Sequence, residues 1–245
     1  MIKNAIILIG GVGSRFSKIN QSPKHLAKIN GQHIIIRLIN FLKKNGIREI
    51  ILPLGYKKDF FYNFFNSKKN QKKFNFVINR DFNSKKKIFI KTFDAGFKSS
   101  KLMRIKKSLK YLSQDDFLVT YGDGLANVNL KKLFNQYDMQ KQKKAFITSY
   151  FKKSQYGHLA ISKKNFVTDF IEKPRFIKPI NIGFYIFNKD IVNKFFNKNI
   201  ELEKKFLKKI IKKKLLKTFL HKGYFYSIYN KKDILVAEKF LKKKY

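Results

Sequence analysis

The sequence predicts an α/β fold with a mixed, mostly parallel sheet flanked by helices, and three observations predict it. An apolar run, Ala5-Ile6-Ile7-Leu8-Ile9, breaks directly into Gly10-Gly11-Val12-Gly13-Ser14-Arg15. A stretch with helical apolar spacing at 33–44 leads to a second apolar run at 49–54. A third run, Phe117-Leu118-Val119-Thr120-Tyr121, ends in Gly122-Asp123-Gly124. β-branched runs of this kind suit strands buried on both faces of a parallel sheet, and strand, helix, strand in succession implies a right-handed crossover.

Glycines just past the first strand let the backbone turn tightly and bring bare N–H groups up to an anion. Arg15 and the Pro23-Lys24 pair add positive charge in the same connection. This is not a dinucleotide fingerprint, because counting from Gly11 the third glycine position falls on Phe16, and no Walker A spacing follows either. The helix at 33–44 stops at Asn45-Gly46, a C-cap pair. Residues 57–65 read as a helix, 74–78 and 87–93 as short strands, and 99–112 as a helix. Ligands of open α/β sheets sit outside the carboxyl ends of the strands, so the glycine loop and Gly122-Asp123-Gly124 are expected to face one crevice. Asp-Gly is also a common turn pair, so Asp123 taken alone reads equally as a turn residue.

The second half changes character with no clear linker. Strands are expected at 145–150, 157–161, 166–171 and 182–187, the last after Glu172-Lys173-Pro174. Helices follow at 189–196 and 202–213, then strands at 216–220 and 225–228 and a helix at 231–242. The 245 residues are read as one domain, with a first half at about 1–125 and a second at about 126–245. A fold of this length buries roughly 70–75% of its unfolded surface.

Hydrophobic residues at 44% and aromatics at 16% argue for a folded chain despite its charge. The chain has no cysteine, which excludes disulfides and thiolate metal sites. A net charge of +41 raises the alternative of a nucleic-acid-binding protein. Its lysines are spread over nearly every segment and accompany an excess of Asn, Ile, Phe and Tyr, the pattern of A/T-rich codon usage, so no specific nucleic acid is expected. No apolar stretch approaches the ~20 residues of a membrane span, and the first residues read as a strand, so a cytoplasmic protein is expected. A homo-oligomer is compatible with the sequence and not fixed by it.

Taken in order, GGVGSR with Pro23-Lys24, Leu54-Gly55-Tyr56-Lys57, Tyr121-Gly122-Asp123-Gly124, Tyr156-Gly157-His158-Leu159, Phe170-Ile171-Glu172-Lys173-Pro174 and Ile180-Asn181-Ile182-Gly183-Phe184 span almost the whole chain. Together they resemble the sugar nucleotidyltransferases, the nucleoside-diphosphate-sugar pyrophosphorylases. Asp94-Ala95-Gly96 followed by Arg104-Ile105-Lys106-Lys107 is most similar to the glucose-1-phosphate cytidylyltransferase branch. The resemblance implies a Rossmann-like, GT-A-like nucleotidyltransferase architecture. It also implies transfer of a nucleotidyl group from an NTP, with CTP expected, to a sugar-1-phosphate, releasing pyrophosphate.

That reaction brings two anions together, so positioning and charge neutralisation supply most of the catalysis. By the resemblance, Gly10, Gly11 and Gly13 offer amides to the nucleotide, with Arg104 and Gly122 beside it. Arg15 contacts the outer phosphates, Lys24 lies near the α-phosphate, and Asp123 ligates Mg²⁺. Lys173 pairs with the sugar phosphate, Glu172 holds sugar hydroxyls, and Tyr121, Gly157, Asn181 and Gly183 line the sugar pocket.

Three positions depart from the family pattern. A second metal-binding Asp is expected within Gly223-Tyr224-Phe225-Tyr226-Ser227-Ile228-Tyr229, where Ser227 or Tyr229 stands instead. Pro-Lys-Pro is Pro23-Lys24-His25, and a glycine pair before the central Arg is Leu102-Met103. The missing Asp motivates a second alternative, a catalytically weakened relative that binds nucleotide or sugar as a regulatory module.

Overall fold

The computed structural model describes residues 1–11, 22–78, 87–140, 144–198 and 200–242. Eight strands form the main sheet: β1 (Asn4–Leu8), β2 (Glu49–Leu54), β3 (Phe76–Val77), β4 (Ile88–Asp94), β5 (Asp116–Tyr121), β6 (Ala145–Tyr150), β7 (Ile180–Asn188) and β8 (Leu216–His221). Their order across the sheet is β8-β6-β7-β5-β1-β2-β4-β3. β7 runs antiparallel to both neighbours, and the other pairs are parallel. The expected mixed, mostly parallel α/β architecture is therefore present.

β1 shows why its sequence makes a central strand. All five residues are buried, and alternate side chains feed two separate layers. Ala5, Ile7 and Ile9 join Ile35, Ile39 and Leu42 of the helix Ile34–Lys44, with Phe61 and Phe65, on one face. Ile6 and Leu8 join Leu102 and Ile105 of the helix Lys101–Ser108, with Val192 and Phe206, on the other. Chain order reverses at β1, since β2 lies on one side of it and β5 on the other. The register pairs Leu8 with Tyr121, so the strand ends that carry Gly10 and Gly122 lie side by side.

Three helical segments differ from expectation. A helix at Lys68–Phe74 precedes β3, capped by the Ser67 hydroxyl, which accepts from the Asn70 amide; it buries no residue and so leaves no apolar periodicity to read. A helix at Leu130–Asp138, capped by Asn129, packs Leu130, Leu133, Phe134 and Tyr137 inward. The helix expected at 202–213 is a π-turn, Leu202–Phe206, running into an α-helix, Leu207–Lys212. The strands expected at 157–161 and 166–171 are present as His158–Ile161 and Val167–Ile171, an antiparallel pair in which every strand residue is exposed.

The element with most consequence for the site is a short ladder between Gly124–Ala126 and Phe225–Ser227. It brings a segment from the last quarter of the chain alongside Asp123. Among the described residues, no helix is long and apolar enough to cross a membrane.

Candidate active site

Pro23, with φ of −60°, starts a single 3-10 turn, Lys24–Leu26, closed by Leu26 N–H donating to Pro23 O at 2.9 Å. This turn delivers Lys24 to the end of β5, where its ammonium pairs with the Asp123 carboxylate. Lys24 Nζ also donates to Ile228 O at 3.3 Å, and it lies 5.9 Å from the centroid of the Tyr229 ring. Ile228 N–H in turn donates to Asp123 O at 3.0 Å. The pair is thus enclosed by three distant segments, and it is mostly shielded, with side-chain exposures of 15% and 23%.

The neighbouring backbone explains two of the glycines. A Cβ at Gly122 would lie 2.5 Å from Ile9 Cγ2 and 2.8 Å from His25 Cδ2, so glycine lets the imidazole pack on the strand end. Burial lowers the His25 pKa to about 4, so the ring is neutral at pH 7; its Nδ1 has no hydrogen-bond partner among the described residues. Gly10 has φ of +88°, and a Cβ there would lie 2.6 Å from Gly55 N. Gly11 is exposed, with no described residue within 4 Å of the position its Cβ would take. Gly13 and Arg15 lie outside the described residues.

Arg104, expected beside the nucleotide, is turned inward with 5% exposure. Its guanidinium donates to Leu54 O at 2.8 Å, Pro53 O, Ser99 O and Gly96 O at 3.1 Å, Gly10 O at 3.3 Å, Phe97 O at 3.4 Å and Ile9 O at 3.5 Å. One side chain therefore ties together the loops that leave β1, β2 and β4. Gly122 also uses its amide internally, donating to Leu8 O at 3.2 Å. Leu102 is fully buried in the core, and the Met103 amide donates to the Ser100 cap at 3.2 Å.

The second-half residues separate into two groups. Tyr121, Asn181 and Gly183 meet at the junction of β5 and β7: the Tyr121 ring occupies the space where a Gly183 Cβ would sit 2.2 Å away. Gly183, with φ of +83°, donates its amide to Asn181 Oδ1 at 2.8 Å. Gly157, Glu172 and Lys173 instead belong to the exposed hairpin. Glu172 and Lys173 pair with each other at 3.0 Å, more than half exposed, and are not joined to the Lys24–Asp123 pair. A Cβ at Gly157 would lie 2.5 Å from the Phe170 ring, so this glycine closes the hairpin.

Sequence reasoning missed Lys101, Tyr185 and Glu203. The Tyr121 hydroxyl lies 2.7 Å from Tyr185 and donates to Glu203, which Lys101 also contacts. The available signal was scarcity: acidic residues number 15 against 56 Lys and Arg, so a glutamate among lysines is itself unusual.

For a metal, the described residues hold no group of three or more His, Cys, Asp or Glu side chains. Asp123 is the carboxylate in the crevice, and Lys24 engages its Oδ2. Of the two candidates for the missing second Asp, Ser227 is paired in the ladder with Gly124, whereas Tyr229 is beside Lys24. Asp233, in the first turn of the last helix, is engaged in its capping, accepting from Tyr229 N at 2.7 Å and Asn230 N at 2.8 Å while Asn230 Oδ1 accepts from its amide at 3.1 Å. A single hard carboxylate fits Mg²⁺, which keeps several waters and takes substrate phosphate oxygens for the rest of its shell.

Comparison with known proteins bears directly on this arrangement. The family model described as "Nucleotidyl transferase" matches residues 4–234. The chain belongs to the nucleotidyl transferase family. Among its relatives in that family, the probable glucose-1-phosphate cytidylyltransferase of Bacillus subtilis (strain 168) is 30% identical over 249 residues, covering 96% of this chain and 94% of the relative. The D-glycero-alpha-D-manno-heptose 1-phosphate guanylyltransferase of Aneurinibacillus thermoaerophilus is 27% identical, covering 96% of each. The crystal structure of HddC from Yersinia pseudotuberculosis superposes with a TM-score of 0.69 at 25% identity, covering 98% of this chain and all of the other. These nucleotidyl transferases differ in base, so family membership does not select one.

Proposed function

We propose that the protein transfers a nucleotidyl group from an NTP, with CTP the leading candidate, to a sugar-1-phosphate. An oxygen of the sugar phosphate forms a bond to the α-phosphorus, the bond to the β-phosphate oxygen breaks, and pyrophosphate leaves with that electron pair. The observation that carries this reading is the Lys24–Asp123 pair, set beside the Gly10 loop at the carboxyl ends of β1 and β5. Nucleotidyl transfer concentrates negative charge at the α-phosphate, and a shielded ammonium at that place stabilises the charge as it develops. Relatives named for glucose-1-phosphate cytidylyl transfer and for heptose 1-phosphate guanylyl transfer support the reaction class, and the first of them supports CTP.

Within this reading, the amides of Gly10, Gly11 and Gly13 cradle the triphosphate and Arg15 contacts its outer phosphates. Asp123 holds Mg²⁺, which when bound screens the phosphate charges. Lys24 exchanges Asp123 for the α-phosphate as substrate enters. Arg104 acts from beneath, fixing the carbonyls on either side of the phosphate loop so that the outward-facing groups keep their aim. Tyr121, Asn181 and Gly183 line the sugar pocket. On the exposed hairpin, Lys173 pairs with the sugar phosphate, Glu172 holds sugar hydroxyls, and Gly157 lines the pocket. Incubation with Mg²⁺, each NTP and a panel of sugar-1-phosphates tests the reading through pyrophosphate release.

The aromatic Tyr229 in the place of a second carboxylate favours one alternative, a binding module without turnover. Calorimetry that finds NTP binding to a protein inactive with every sugar phosphate would select it.

A further inference from the structure

Glu203 sits on the π-turn Leu202–Phe206, whose Leu202 and Phe206 side chains are fully buried and anchor it in the core. From there its Oε1 reaches two donors at 2.5 Å, the Lys101 ammonium and the Tyr121 phenol. Lys101 Nζ lies 4.8 Å over the Tyr121 ring, so the tyrosine is held at its hydroxyl and across its face. The chain of contacts continues from Tyr121 OH to Tyr185 OH at 2.7 Å, and from Tyr185 OH to Asn181 Nδ2 at 2.5 Å. It ends where Asn181 Oδ1 accepts the Gly183 amide at 2.8 Å.

Proton counting gives this chain a direction. A carboxylate only accepts, so Tyr121 must donate to Glu203. Its single proton is then committed, and it accepts from Tyr185. Tyr185, having donated to Tyr121, accepts from Asn181 Nδ2. The Asn181 amide is thereby fixed with its oxygen toward Gly183 and its second Nδ2–H available to a ligand. A neutral group at 203 that can also donate removes the constraint, and each hydroxyl in the chain becomes free to reverse.

The environment keeps Glu203 in the accepting state. Burial raises its pKa, but the hydrogen bonds from Lys101 and Tyr121 outweigh that and hold it below the usual range. Burial pushes the Tyr185 hydroxyl up to about 12 and that of Tyr121 higher still, so both remain protonated.

We propose that Glu203 is a positioning residue for the sugar-1-phosphate: by accepting from Tyr121 and Lys101 it sets the hydrogen-bond direction through Tyr185 and fixes Asn181 as a donor to a sugar oxygen. The proposal rests on the reading of Tyr121, Asn181 and Gly183 as the sugar pocket, and its test separates the two. Crystal structures of the wild type and of Glu203→Gln report the positioning without reference to activity. The expected result is a displaced Tyr121 ring or a turned Asn181 amide; both unchanged would overturn the proposal. Steady-state kinetics report the consequence. Glu203→Gln is expected to raise KM for the sugar-1-phosphate about tenfold or more while KM for the NTP stays within about twofold. Tyr121→Phe should do the same, and the double variant should be no worse than the poorer single variant. Equal rises in both KM values, or effects of the two substitutions that multiply, would overturn it. A wild type inactive with every substrate pair would instead overturn the proposed function, and the two structures would still decide what Glu203 positions.

Discussion

Lys24 and Asp123, 99 positions apart in the chain, form a shielded ion pair at the carboxyl end of β5. Neither residue is held by its neighbours in sequence alone: Lys24 comes in on a 3-10 turn set by Pro23, and Asp123 follows a buried central strand. An ion pair this protected places its cation where the α-phosphate is expected. Lys24→Ala should lower turnover by about 10²–10³, the usual effect of removing one contact to developing charge. Pyrophosphate release under saturating substrates measures this, and an unchanged rate excludes the role assigned to Lys24.

The neutral, buried His25 makes stability depend on pH. Its folded-state pKa of about 4 lies below the ordinary histidine value of 6.5, so between these values the unfolded chain binds a proton that the folded chain refuses. The penalty is absent above pH 6.5, grows as the pH falls, and levels off below pH 4 at on the order of 3 kcal/mol. His25→Phe can pack in the same space against Phe61, whose ring centroid is 5.9 Å away, without the protonation penalty. Urea unfolding from pH 7 to pH 4 should therefore show a smaller loss of stability in the variant. Parallel curves would contradict the assignment.

Adjacent glycines should respond differently. Gly10→Ala places a Cβ against the Gly55 backbone at positive φ and should cost about 1–3 kcal/mol. Gly11→Ala meets no described residue within 4 Å and should leave the Tm almost unchanged, while weakening NTP binding by crowding the exposed amides. Thermal unfolding and NTP calorimetry on the two variants separate folding from binding.

Arg104→Met should be among the most damaging substitutions remote from the open crevice. It removes the donors to carbonyls of three loops in a buried place, a loss of about 3 kcal/mol or more. Reduced stability with a raised KM for NTP is the expected pattern; a variant with full stability and normal KM would contradict the bracing role.

The central strands and the crevice were legible because they depend on local signals. The run from Ala5 to Ile9 had to be buried on both faces, and the glycines after it had to turn. The ordered motifs then gave Lys24 and Asp123 to one nucleotide site, and the structure adds that they pair with each other. What stayed hidden depends on tertiary packing. Arg104 lies between Leu102 and Ile105 on an ordinary amphipathic helix, and nothing local distinguishes a guanidinium beneath a loop from one that faces a nucleotide. The helix Lys68–Phe74 buries nothing and so has no apolar stripe. Glu203 acquires its meaning only when a π-turn carries it to Tyr121 and Lys101. That Tyr229 lies beside Lys24 while Ser227 pairs with Gly124 depends on the ladder between Gly124–Ala126 and Phe225–Ser227, a long-range pairing with no local signal.

The most direct test is pyrophosphate release by the purified protein with Mg²⁺, each of CTP, GTP, UTP, ATP and dTTP, and a panel of sugar-1-phosphates. The account predicts release that requires both substrates together, is greatest with CTP, and is lost by about 10²–10³ in Lys24→Ala. No release from any pair, by protein that is folded and binds NTP, would contradict it.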